Sequence, residues 1–250
     1  MNASLMTKPV TASLETPRLQ LDVPKRIHPK SPPSPKIREA TGEDIHALVS
    51  IHSDALPDDF LARLGRRFLA KVFFPTLLAS PRCRVFVADE KGNVLGLIVT
   101  RVGMGGILTQ MFTHRPSWFV LTCLCAVVRR PALLIHAVSV ICQLRSRRSR
   151  DDDNAMAELF LMAVDRRARR CGVGQALIEH SADRLRASGI DVYRVLLHAD
   201  NELAQAIYES TGFIETRIHR FAGHLWSERD RNLQTSRRPR NTAHGPAQAG

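Results

Sequence analysis

Apolar residues along the chain come in short blocks with two different periods. Blocks at Arg84–Asp89, Val94–Val102, Leu159–Val164 and Val192–His198 are continuous or alternating and bounded by turn residues, which predicts strands. Ile37–Glu39 predicts a short first strand, and Phe213–Ile218 a last one. Elsewhere the apolar positions fall at helical spacing. Ile45, Leu48, Val49 and His52 predict a helix over Thr41–Leu56, with Thr41 and Glu43–Asp44 at its start and Pro57 as its stop. Leu61, Leu64, Phe68, Leu69 and Val72 predict a second helix over Phe60–Leu78, interrupted at Pro75. Gly172–Ser188, closed by Gly189, and Asn201–Ser210, closed by Gly212, predict two more. Lys91-Gly92-Asn93 is turn chemistry that folds the second and third strands into a hairpin. The order strand, two helices, hairpin, strand, helix, strand, helix, strand makes the fold class mixed α/β.

Ile107–Arg150 breaks this rhythm. Trp118–Val128 and Ala132–Leu144 are apolar, Arg129-Arg130-Pro131 separates them, and Arg145, Arg147, Arg148 and Arg150 close the segment before Asp151–Asp153. Each half falls short of the roughly 18 apolar residues that a membrane span needs. The pattern predicts a helical hairpin packed on the domain. A substrate-facing lid or a membrane-surface helix pair is the sharper alternative. Residues 1–36 are polar, basic and proline-rich towards their end, and residues 229–250 are polar and basic. Both predict disordered tails on a domain spanning 37–228, with the insert at 107–150.

Composition narrows the partners. A net charge of +12 and a pI near 10.4 call for a polyanionic partner: nucleic acid, an anionic membrane surface or a phosphorylated cofactor. Aromatic residues make up 6% of the chain, which leaves little stacking surface for single-stranded nucleic acid. The five cysteines (Cys83, Cys123, Cys125, Cys142 and Cys171) lack metal-site spacing and predict reduced packing thiols, with no metal. No secretory leader is visible in the first thirty residues. The expected setting is cytoplasmic.

The chemistry concentrates between Ala157 and Leu177. An apolar strand ends at Val164, a basic turn with Arg166, Arg167, Arg169 and Arg170 follows, and Gly172 and Gly174 open a helix. Free amides at a helix N-terminus, with the helix dipole behind them, predict an anion site for a phosphorylated cofactor. The stretch lacks GxxxxGK[ST], and no GxGxxG follows a strand, so neither a P-loop nor a dinucleotide fold is supported. Hydrolase and zinc deaminase motifs are also missing.

Val164, Arg169, Gly172 and Gly174 occupy the positions of V-x-P-x-x-R-x-x-G-x-G/A, and Asn201, Ala204, Tyr208, Gly212 and Phe213 those of N-x-x-A-x-x-x-Y-x-x-x-G-F. In both motifs the chain resembles the GNAT superfamily of acyl-coenzyme A-dependent N-acyltransferases over roughly residues 37–226. It departs by Arg166 in place of the common proline and by the long insert. The resemblance implies a mostly antiparallel mixed sheet, splayed between its fourth and fifth strands. It also implies acetyl-CoA as co-substrate. The amides of Arg169, Arg170, Cys171, Gly172, Val173 and Gly174 would hold its pyrophosphate, with the glycines letting backbone approach closely. Leu161, Met162, Ala163 and Val164 would run beside the pantetheine arm, and Asn201 would contact it while capping the next helix.

Tyr208 would, by the same resemblance, act as general acid on the leaving thiolate. Direct transfer to an amine also needs a base. Glu158, the one acidic residue in the apolar fourth strand, is the first candidate. Strand alternation places it on one face with Phe160, Met162 and Val164, and a carboxylate among apolar neighbours accepts a proton near neutrality. A solvent-facing or arginine-paired Glu158 is the structural alternative. His198, at the end of the fifth strand, is the second candidate; His136 and His219 follow. The implied activity is acetyl transfer to a primary amine of a small molecule or amino sugar. The alternatives are a protein N-terminal or lysine acetyltransferase, or a non-catalytic module binding nucleic acid or membrane.

Overall fold

The computed structural model describes residues 35–57, 59–103, 107–114, 116–129, 156–221 and 223–234. A short strand β1 (Lys36–Glu39) leads through a single 3₁₀ turn (Gly42–Asp44) into α1 (Ile45–Ala55). Thr41 and Asp44 form the expected capping box, with the Thr41 amide donating to Asp44 Oδ2 at 2.8 Å. The second predicted helix is broken at Gly65, whose φ of 97° is left-handed. It forms α2 (Phe60–Leu64), α3 (Arg66–Phe68), a π-helical stretch over Leu69–Phe73, and α4 (Phe74–Ala79). Pro75 directly follows the π-helical stretch in an unbroken helical path from Arg66 to Ala79, so the widened turn, not a helix start, accommodates its missing N–H. The hairpin β2 (Cys83–Glu90) and β3 (Asn93–Val102) is followed by α5 (Ile107–His114) and α6 (Pro116–Arg129). The second half of the predicted insert and both distal tails lie outside the described residues.

The rest of the domain is β4 (Met156–Val164), α7 (Val173–Ala187), β5 (Val192–His198), α8 (Glu202–Ser210), β6 (Ile214–Phe221) and β7 (His224–Asn232). The described strands form one sheet in the order β1-β2-β3-β4-β5-β7-β6. Adjacent pairs are antiparallel except β4 with β5. Helices cover both faces, so the central strands are apolar on both sides. Leu48, Phe68, Phe73, Phe74 and Leu77 pack on one face against Val85, Val87, Leu97 and Val99. Val173, Leu177, Ile178 and Tyr208 pack on the other against Phe86, Ile98, Leu159 and Val195.

Two features depart from the sequence pattern. A register shift against Val99 and Thr100 leaves Phe160 as an extra residue in β4, a β-bulge that flips the side-chain alternation beyond it. The domain also continues past residue 228. The strand β7 reaches Asn232 and Leu233 is buried, so Arg229–Leu233 belong to the domain and not to the expected tail. Hydrophobic periodicity does not mark β7 because charge pairs hold it. Arg194 meets Asp230 at 2.7 Å, Arg229 meets Glu209 at 2.7 Å, and Arg231 meets Glu179 at 2.8 Å.

Candidate active site

The fourth and fifth strands pair only over Met156–Leu159 and Val192–Val195. Beyond Leu159, β4 keeps β3 as its neighbour but has parted from β5. Residues Leu161–Val164 therefore line an opening in the sheet. Ile207 of α8 and, from β4, Val164 and Met162 all border Gly174 at the start of α7. The predicted splay is present.

The turn after β4 is built by local chemistry. The Asp165 carboxylate accepts from the Arg167 amide at 2.8 Å, and Arg169 Nε donates to the Val164 carbonyl at 3.1 Å. Arg170 and Gly172 both take left-handed conformations, with φ of 60° and 79°. Such reversals point successive amides into one concavity. Among the described residues no acceptor meets the amides of Cys171, Gly172, Val173 or Gly174, and no side chain caps α7. The guanidinium-bearing residues Arg166, Arg167, Arg169 and Arg170 are all exposed around them. This is a cationic amide cradle, and it fits a pyrophosphate.

The two glycines serve different ends. A Cβ on Gly172 would meet nothing within 4 Å, but its φ needs glycine. A Cβ on Gly174 would meet Ile207 Cδ1 at 2.9 Å, so Gly174 is small for the sake of α8.

Asn201 caps α8, its Oδ1 accepting from the Ala204 amide at 3.1 Å. Two turns on from Asn201, Tyr208 is buried, with its ring edge-on to Phe213 at 5.4 Å. Burial pushes its phenol well above the ordinary tyrosine range, which keeps it a proton donor at neutral pH.

Glu158 lies one residue before the last β4–β5 pair, buried and 3.0 Å from Arg101 Nη2 of β3. This is the arginine-paired arrangement. The bulge corrects its expected companions. Glu158 shares a face with Phe160, whereas Met162 and Val164 point to the opposite layer. Glu158 and Tyr208 thus belong to the layers on opposite faces of the sheet.

Arg101 was not singled out by pattern, although it is the one charge in the apolar run Val94–Val102. It is 3% exposed, stacks over Phe160 at 5.2 Å, and its Nε and Nη1 meet no acceptor among the described residues. His52 is the other unforeseen polar group. It is fully buried against Phe73 and Phe74, and its Nε2 lies 3.4 Å from Asp59 Oδ2 without aiming a hydrogen at it.

His198 stacks on Trp226 at 4.0 Å and faces His224 at 5.3 Å; desolvation first, then His224, lowers its pKa. Residue His219 pairs with Trp226 from β6, two strands from β5, and His136 lies outside the described residues. Among the described residues there is no metal-ligating cluster. A cleft of about 630 Å³ opens beside the turn, between Ser50, Ile51 and Asp54 of α1 and Val164–Arg167.

The model of the acetyltransferase (GNAT) family matches residues 45–213, which includes both the splayed strands and the amide cradle. The chain belongs to this family. Among its curated relatives, the mycothiol acetyltransferase of Beutenbergia cavernae is 36% identical over 67 residues, 27% of this chain and 23% of that protein. The [ribosomal protein bS18]-alanine N-acetyltransferase of Escherichia coli is 44% identical over 64 residues, 26% of this chain and 43% of that protein. The match thus spans less than half the length of either relative. Among solved structures, the ribosomal-protein-S18-alanine N-acetyltransferase from Escherichia coli shares the GNAT fold. It has a TM-score of 0.51 at 18% identity, over 82% of this chain and 97% of that chain. The PaiA N-acetyltransferase from Thermoplasma acidophilum in complex with coenzyme A also has a TM-score of 0.51, at 12% identity, over 78% and 98%.

Proposed function

We propose that this GNAT protein is an N-acetyltransferase that carries an acetyl group from acetyl-CoA to a primary amine of a small molecule or amino sugar, by direct transfer in a ternary complex. The observation that carries the reading is the row of acceptor-free amides at Cys171–Gly174, at the end of a strand parted from its neighbour. Those amides and the surrounding arginines hold the pyrophosphate. Leu161–Val164, which have no β5 partner, offer their edge to the pantetheine arm, and Asn201 borders it. Bound acetyl-CoA supplies a thioester-activated acetyl group.

The chain's own residues then move two protons. Glu158 takes one from the incoming ammonium, freeing the nitrogen lone pair for N–C bond formation. Tyr208 gives its proton to the sulfur as the C–S bond breaks and regains one from the acetylated nitrogen, which sheds its second proton to become the neutral amide. Their places in the layers on opposite faces of the sheet suit this division, since amine and thiol stand on opposite sides of the transferred carbon. The setting is cytoplasmic, in keeping with the free thiols of Cys83, Cys123 and Cys171.

A protein N-terminus is the second reading of the acceptor, favoured by the relative that acts on a ribosomal-protein alanine. An acceptor screen with the full chain, following acetyl-CoA consumption, separates the two. Turnover on small amines and amino sugars, but not on an alanine-initiated peptide, is the expected result. Turnover on the peptide alone overturns the small-molecule acceptor.

A further inference from the structure

The α6 helix has an apolar face turned away from the protein. Phe119 and Cys123 pack inward on the core cluster, Phe119 against Phe68 of α3. Trp118, Leu121, Leu124 and Val128 point the other way, with exposures of 39%, 51%, 59% and 74%. Spacings of three and four residues align them as one stripe. Water is a poor neighbour for such a face, and exposed apolar stripes on this scale mark contact surfaces.

The surrounding charge selects the contact. Arg66, Arg67 and Lys71, on the helical segment that packs beside α6, are exposed. Lys71 Nζ lies 5.8 Å from the Trp118 ring. From Lys91 to Arg150 the chain contains no Asp or Glu. A second copy docked stripe to stripe brings these cations against one another, which opposes self-association. A surface that is apolar inside and negative outside answers both features, with Trp118 at the boundary.

We infer that α6 and its cationic rim form a peripheral docking face for an anionic phospholipid bilayer. Trp118, Leu121, Leu124 and Val128 enter the headgroup–acyl boundary, while Arg66, Arg67 and Lys71 meet the phosphates. No described helix is long and apolar enough to cross a membrane, so the contact is one of lying on the surface. The inference stands apart from the acetyl-transfer reading, because none of these residues belongs to the amide cradle or the proton-transfer pair.

Flotation of the full chain tests it, using phosphatidylcholine vesicles with and without roughly one third phosphatidylglycerol. The wild type is expected to float with the anionic vesicles, with a blue shift of tryptophan emission that Trp118→Phe removes. The pair Leu121→Ser/Leu124→Ser leaves the net charge at +12 and is expected to weaken partitioning by roughly tenfold or more. Circular dichroism shows whether the pair folds, and Leu124→Ser alone, expected to weaken binding less, serves if it does not. Unchanged partitioning of the folded variant overturns the inference, because the charged ends then suffice. So does a concentration-dependent dimer that the same substitutions dissolve, since a second copy then covers the stripe.

Discussion

Glu158 and Tyr208 meet different surroundings, and each role has its own signature. The Glu158 carboxylate balances Arg101 inside a nearly water-free layer, at 3.0 Å. Removing it leaves a buried cation uncompensated, so Glu158→Ala is expected to lower stability by about 3 kcal/mol or more in denaturant titrations. Glu158→Gln keeps an acceptor for Arg101 but cannot take a proton. It is expected to cut kcat by roughly 10²–10⁴-fold and to flatten the acidic limb of the pH profile. Tyr208→Phe should lower kcat with acetyl-CoA affinity unchanged, since only the hydroxyl is lost. Full activity of Glu158→Gln reduces the residue to a structural ion-pair partner, and full activity of Tyr208→Phe at every pH removes it as the acid. The Arg169–Gly174 turn was legible as an anion site from its spacing, and the part of Asn201 only through the family resemblance its motif carries. The bulge at Phe160 was not, because register is set by the neighbouring strand, and one extra residue leaves no periodic trace in so apolar a run.

At the level of elements, the cradle depends on how α8 crosses the start of α7. Ile207 Cδ1 lies where a Cβ on Gly174 would stand, at 2.9 Å. Gly174→Ala is therefore expected to cost roughly 1 kcal/mol through overpacking, softened because the clashing atom ends a flexible side chain. Ile207→Val removes that atom. The double variant Gly174→Ala/Ile207→Val should fall short of the summed single losses, as measured by denaturant midpoints. Strict additivity would contradict the contact. Elements with a clear period, such as α1, α7, β2 and β5, were readable from sequence. The β6–β7 hairpin was readable only in part, because Arg229, Arg231 and Asp230 are fixed by partners on α7, α8 and β5, which a linear pattern does not display.

Across the molecule, the edge strand β1 is tied to α1 and β2 by one arginine. Arg38 donates to both oxygens of Asp44 at 2.8 Å and to Asp89 at 2.9 Å. The Arg38 guanidinium is the main cause that holds the Asp44 carboxyl below its ordinary range. A carboxyl depressed on folding adds stability above its unfolded pKa, about 3.9, and loses it as pH falls through the lower folded value. Asp44→Asn should thus destabilise the protein at neutral pH, with the gap to wild type closing below roughly pH 4. A gap that stays constant into acid would contradict the charge pairing. The fold class was legible at this scale because helical and strand periods alternate cleanly. The partition of the charge was not: the +12 total says nothing of which cations sit at the cradle, beside α6 or in the tails.

The cradle itself is tested most directly by isothermal calorimetry of acetyl-CoA into the full chain. Saturable binding at one site per chain is predicted, abolished by Gly172→Glu, which puts a side chain and a negative charge into the left-handed turn. Heat at dilution level with millimolar acetyl-CoA, or binding that survives Gly172→Glu unchanged, would contradict the assignment of Cys171–Gly174 as the pyrophosphate site.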